Sequence, residues 1–176
     1  YNFIQNLVRL AVWTHDHAEI IASTFDMSYF MYDDGHNVEY PERKDDYDCG
    51  TSACYAGHGP MADIHPGRHT CWYTYVASEF TGKETQPGDD RIGVVFDALF
   101  SIRWPDCPYQ AVHRTQLLLQ GHNLQGISSG SVVIPAEDNG EDYGETARKG
   151  SDLPFDRQFF QNIINGNFSL DLKPNE

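Results

Sequence analysis

The chain has 176 residues, 40% of them hydrophobic and 13% aromatic; this suits one compact domain with at most a small appendage and excludes global disorder. With 26 Asp and Glu against 12 Lys and Arg the net charge is −14, too acidic a surface for direct contact with nucleic-acid phosphates. No apolar run reaches the roughly 20 residues of a membrane span, and no basic stretch followed by an apolar run opens the chain, so neither a span nor a signal peptide is expected.

Phe3 to Ala22 predicts an amphipathic helix. Phe3, Leu7, Leu10, Thr14, Ala18 and Ile21 recur at spacings of three and four, with Ile4, Val8 and Ala11 beside them. Thr24 to Met27 ends it, and an aromatic cluster of Tyr29, Phe30 and Tyr32 follows. Residues 33–48 are polar and charged, and read as a surface loop. Thr51 stands where an N-cap would start a helix from Ser52 to about Ala62, with small residues along one side and Pro60 shortening it. His65 to His69 is a turn around Pro66-Gly67. Trp72 to Phe80 fits two periods: Trp72, Val76 and Phe80 suit a helix, Tyr73, Tyr75 and Ala77 a strand.

Beyond a linker at 82–88, Asp89 or Asp90 can cap a helix over Arg91–Phe100. Pro108 opens another, from Tyr109 to Gln120, which Gly121 stops. Gly126 to Pro135 is β-branched and predicts a short strand, and 136–152 is an acidic loop. Asp152 and Pro154 start a last helix with Phe155, Phe159, Phe160, Ile163 and Ile164 inward, stopped by Asn165-Gly166. A final strand is expected at Phe168–Leu172. The sum is a mainly α (α+β) chain: a compact multi-helix domain over 1–121, and a tail over 122–176 that holds the minor β content of the last third and packs on the first part.

Four chemistries can be tested against these residues. Cys49 before a helix N-terminus would be an activated thiol and the nucleophile of a cysteine hydrolase, with His113 or His122 as base. Cys54 and His58, four apart, with His65, His69 and Cys71, could supply a zinc set, although Pro66-Gly67 separates two of the histidines. Packing explains the same cysteines without chemistry, since free cysteine behaves as a small buried apolar residue. No phosphate-binding glycine motif is present, and the acidic loop lacks the ordered ligand alternation of a calcium loop. No catalytic set is complete and no cofactor is expected.

The segments "FDM" (Phe25–Met27), "CGTSACYAGHG" (Cys49–Gly59) and "LFSIRWP" (Leu99–Pro105) together resemble a set of small phage and prophage proteins. Those proteins carry a Cys-Gly-Thr-x-x-Cys-x-Ala-Gly motif after a leading helix. Cys49, Gly50, Thr51, Cys54, Ala56 and Gly57 match it, whereas Gly59-Pro60 departs from its usual helical continuation. The resemblance spans residues 3–120 and implies a viral or mobile-element origin without assigning a reaction. The resulting expectation is an accessory protein that binds another protein, as a host-directed inhibitor or a virion component, in the host cytoplasm or the virion. The acidic surface suits a basic partner, including the nucleic-acid-binding surface of another protein.

Overall fold

The computed structural model describes residues 3–33, 35–39, 41, 51–81, 95, 96, 98–101, 104, 106–122, 151 and 153–166. These residues form a mainly helical protein with one small antiparallel sheet. In chain order the elements are α1 (Phe3–Ile21), β1 (Met31–Asp33), β2 (His36–Asn37), β3 (Thr51–Ala53), a 3-10 turn (Ala56–His58), α2 (Trp72–Phe80), α3 (Pro108–Leu119) and α4 (Arg157–Ile164).

α1 is the central element because its apolar surface is wide enough for two cores. Leu7, Leu10 and Ile21 join the larger core, which includes Met31, Tyr55, Tyr75, Phe80, Leu99 and Trp104. Ile4, Val8 and Ala11, on the adjoining stripe, pack with Val112 and Leu119 of α3 and with Phe160 and Ile163 of α4. Each such fully buried side chain contributes about 1.5–3 kcal/mol before chain entropy is counted. The helix ends where Thr24 turns back: its N–H and its hydroxyl both donate to the Ile21 carbonyl, at 3.0 and 3.2 Å.

α2 resolves the ambiguous segment in favour of the helical period. Trp72, Tyr75, Val76, Glu79 and Phe80 are all buried, whereas Tyr73 is exposed. α3 begins at Pro108, whose missing N–H costs nothing in the first turn, and ends before Gly121 at φ +93°. α4 starts later than the sequence suggests. Its cap is Asp156, whose carboxylate accepts from Phe159 N at 3.0 Å, so Phe155 lies outside the helix.

The helix expected from Ser52 is replaced by a strand and a single 3-10 turn. Residues 51–54 run between two other chain segments that take their backbone groups: β3 pairs with β1 (Met31↔Ala53, Asp33↔Thr51). On the other side Ala53 N donates to Thr24 O at 3.0 Å, and Asp26 N donates to Ala53 O at 2.9 Å. With those bonds made across the chain, an intrahelical ladder has no donors left to use. β1 also pairs with β2 through a tight turn carrying Gly35 at φ +85°, giving the sheet order β2-β1-β3. The described strands therefore lie between 31 and 53, in place of a loop and a helix. The strands expected at 126–135 and 168–172 lie outside the described residues, as does nearly all of the acidic loop. At 91–100 the described positions 95, 96, 98 and 99 are helical.

Candidate functional site

Cys49 lies outside the described residues. Cys54 is buried at 3% exposure and its thiol is aimed at the Phe30 carbonyl, 3.9 Å away. Burial pushes that thiol up to about 12, far from the thiolate a nucleophile or zinc ligand needs. His58 sits one turn on, but its Nδ1 meets the Cys54 carbonyl oxygen at 2.6 Å rather than the sulfur. Its ring stacks on Phe25 at 5.4 Å, and burial drives its pKa down to about 4, so it is neutral at physiological pH. Cys71 is half-buried beside the Thr74 hydroxyl at 3.0 Å, which with neighbouring backbone donors lowers its thiol. His113 turns its Nδ1 to the Pro154 carbonyl at 3.4 Å, and His122 is exposed beyond α3; neither bonds to a described cysteine. The set Cys54, His58, His65, His69 and Cys71 is thus split among separate partners. Among the described residues no group of three His, Cys, Asp or Glu side chains is arranged to hold a metal ion.

Two of those histidines do converge, on a residue the sequence reading passes over. Glu79 of α2 is 5% exposed and accepts from His65 Nδ1 at 2.6 Å and from His69 Nε2 at 2.8 Å. An ionised carboxylate only accepts, so it fixes a proton on each of those nitrogens. Asn6 of α1 completes the arrangement, its amide donating at 3.0 Å to both the Glu79 carboxylate and the Glu79 backbone carbonyl. Burial acts to raise the Glu79 carboxyl, but the hydrogen bonds and charges of His69 and His65 outweigh it, and the net shift is downward. His65 reaches this position on a left-handed backbone, φ +40°, two residues after Asp63 at φ +61°. Arg9 of α1 holds that bend by donating to the Asp63 carbonyl at 3.1 Å, and Tyr75 of α2 does so by donating to Ile64 O at 2.7 Å. The cluster ties the 63–69 loop to α1 and α2. A carboxylate-oriented imidazole is the geometry of a general base, but no described nucleophile is bonded to either ring.

A different surface has the form of a binding site. A cleft of about 460 Å³ opens between the start of the sheet and α2, lined by Met27, Ser28, Tyr29, Phe30, Met31, Asn37, Val38, Cys54, Trp72, Tyr73, Phe96 and Phe100. Its floor is rigid: Phe30 stacks on Trp72 at 5.4 Å and 3°, and the Trp72 indole N–H is anchored on the Val38 carbonyl at 2.8 Å. Tyr73 meets Phe30 edge-on at 5.6 Å and stays 69% exposed; Tyr29, 41% exposed, packs on Tyr32 at 5.0 Å. Two methionines, Met27 and Met31, supply adaptable apolar wall.

Within the motif, the described stretch Ala53 to Gly59 shapes this floor. A Cβ on Gly57 would overlap the Phe30 carbonyl oxygen and lie 2.8 Å from its carbon and 3.0 Å from Ala53 Cβ. Only glycine lets the 3-10 turn press against the backbone that presents Phe30. A Cβ on Gly59 would likewise strike the Tyr75 hydroxyl. Comparison of the chain with protein-family models, with curated proteins and with solved structures returns no match.

Proposed function

We propose that the chain acts by binding another protein through the aromatic cleft, as an accessory protein of the phage type its motif resembles, and that it carries no reaction of its own. The observation that carries this reading is the cleft's composition. Two exposed tyrosines flank a stacked floor of half-buried Phe30 and buried Trp72, and none of the described lining residues is charged. Aromatic residues that are rigid and part-exposed are those that anchor protein interfaces. A volume of about 460 Å³ is within the range of specific pockets. The buried, protonated Cys54, with His58 turned to its backbone carbonyl rather than its sulfur, weighs against a Cys54–His58 zinc pair.

The test is selection of peptides from a displayed random library on the immobilised protein, followed by affinity measurement on Tyr73→Ala. The expected result is a family of binders that weaken by about tenfold or more on the variant, the loss typical of truncating an interface anchor. Binders indifferent to Tyr73, or no binders at all, would overturn the reading. As a host-directed inhibitor the protein would meet its partner in the host cytoplasm; as a virion component it would be found in purified particles.

A further inference from the structure

We infer that the element the cleft accepts is a short peptide segment with one large apolar side chain flanked by Lys or Arg; this rests on the binding function proposed above. The apolar half of the inference comes from the lining. Phe30, Trp72, Phe100, Met27 and Met31 present hydrocarbon and ring faces, and the polar lining side chains, Ser28 and Asn37, are neutral. Such a lining accepts an aliphatic or aromatic group and penalises a buried charge.

The basic half comes from what stands around it. Asp26 and Glu39 are the chain neighbours of the lining residues Met27 and Val38. Glu39 is exposed and Asp26 half-exposed. Exposed Asp106 reaches the same rim, its carboxylate accepting from Met27 N at 2.7 Å, while Asp26 accepts from Ser28 N at 2.8 Å. The Asp106 and Asp26 carboxylates are thereby held beside the cleft. Of the four described arginines, Arg9 donates to the Asp63 carbonyl, Arg157 pairs with Asp16 at 2.6 Å, Arg114 lies over the Trp104 ring at 4.6 Å, and exposed Arg68 belongs to the 63–69 loop, which lines no part of the cleft. Exposed His36, beside Asn37, is the one titratable cation-former next to a described lining residue. Among the described residues the rim therefore has the sign of the whole chain, which carries −14. Fixed carboxylates around an apolar pocket steer a cationic segment inward and repel an acidic one.

The test uses three synthetic peptides with the same Leu or Phe anchor and with Lys, Gln or Glu at the flanking positions, titrated onto the whole chain while Trp fluorescence is read. The Lys-flanked peptide should bind at least about tenfold tighter than the Glu-flanked one at low salt, and the gap should shrink as salt is raised. The double variant Asp106→Asn, Glu39→Gln should narrow the gap between the Lys- and Glu-flanked peptides, and a gap of unchanged size would overturn the basic-flank inference. Equal affinities, or a preference for Glu flanks, would overturn the basic-flank inference while leaving the cleft reading intact. Failure of all three peptides together with an empty library selection would overturn the cleft reading itself. A dimer by sedimentation that dissociates on Tyr73→Ala would put a second copy in the cleft and overturn the inference.

Discussion

Gly57→Ala should damage the protein out of proportion to the one methyl group it adds. The new Cβ has nowhere to go: the Phe30 carbonyl occupies its position, and Ala53 Cβ stands 3.0 Å away on β3. Both obstacles belong to segments held by backbone bonds, Cys54 N to Tyr29 O at 2.8 Å and Ala53 N to Thr24 O at 3.0 Å. Relief requires Phe30 to shift, and Phe30 is stacked on Trp72. Overpacking of this kind costs about 1–3 kcal/mol, and disturbing the ring pair adds about 0.5–1.5 kcal/mol. The expected loss is therefore about 2–4 kcal/mol, a large part of a typical domain's 5–15 kcal/mol. Urea unfolding followed by Trp fluorescence measures it, and near-UV circular dichroism should report the Phe30–Trp72 pair even where the fold survives. Gly67→Ala is the control. Gly67 has φ +75° but nothing within 4 Å of an added Cβ, so only backbone strain of about 1–2 kcal/mol applies. A Gly57→Ala loss below about 0.5 kcal/mol, or one equal to the control, would refute the claim that the motif glycine exists for close approach to Phe30.

Cys54 in the folded protein should resist iodoacetamide at pH 8, because its thiol titrates at about 12, and should react readily once unfolded; equal rates would contradict its burial. His58 titrates in the fold at about 4, below the 6.5 of a free imidazole, so the unfolded chain binds the extra proton. Stability should consequently fall as pH drops from about 6.5 to about 4, by an order of 3 kcal/mol, and His58→Gln should flatten that slope; an unchanged slope would assign it to other groups. Glu79 has a lowered pKa, so its contribution is present above about 4.5 and is lost as pH falls further. Glu79→Gln should accordingly cost about 1.5–3 kcal/mol at pH 7, the range of one charge-assisted hydrogen bond. That difference should shrink in acid below the ordinary carboxylate range, and a cost independent of pH would show that charge plays no part.

The helices were legible where apolar period and boundary chemistry agreed. α1 follows its three-and-four spacing, and α3 lies between Pro108 and Gly121 as the residues suggest. Where a local signal competed with long-range pairing, it misled. Thr51 has the chemistry of a helix cap, but β1 and residues 24–26 claim the backbone of 51–54 first. One available cue lay in the supposed loop: the sequence Asp-Gly ending at Gly35 is a frequent hairpin-turn dipeptide, and β1 and β2 pair antiparallel on either side of Gly35. The cleft was only half visible. Tyr29, Phe30, Trp72 and Tyr73 stand out as aromatic clusters, but their convergence depends on β3 and the 3-10 turn, which local periodicity does not encode. Glu79 carries little local signal, being a single acid in an apolar run, "WYTYVASEF"; a charge buried on the inward face of such a helix calls for a partner, and His65 and His69, shortly before it in the chain, supply it. Cys54 and His58 show the converse: helical spacing suggested shared ligation, whereas the imidazole bonds the backbone carbonyl.

Amide and side-chain chemical-shift mapping of the isotopically labelled chain, titrated with a library-selected peptide, tests the binding function most directly. Protein binding through the aromatic cleft predicts saturable shifts centred on Tyr29, Phe30, Val38, Trp72 and Tyr73, needing about tenfold or more peptide to saturate in Tyr73→Ala, while the α3 and α4 signals stay in place. Shifts centred instead on His65, His69 and Glu79, or an unchanged titration in the variant, would contradict it.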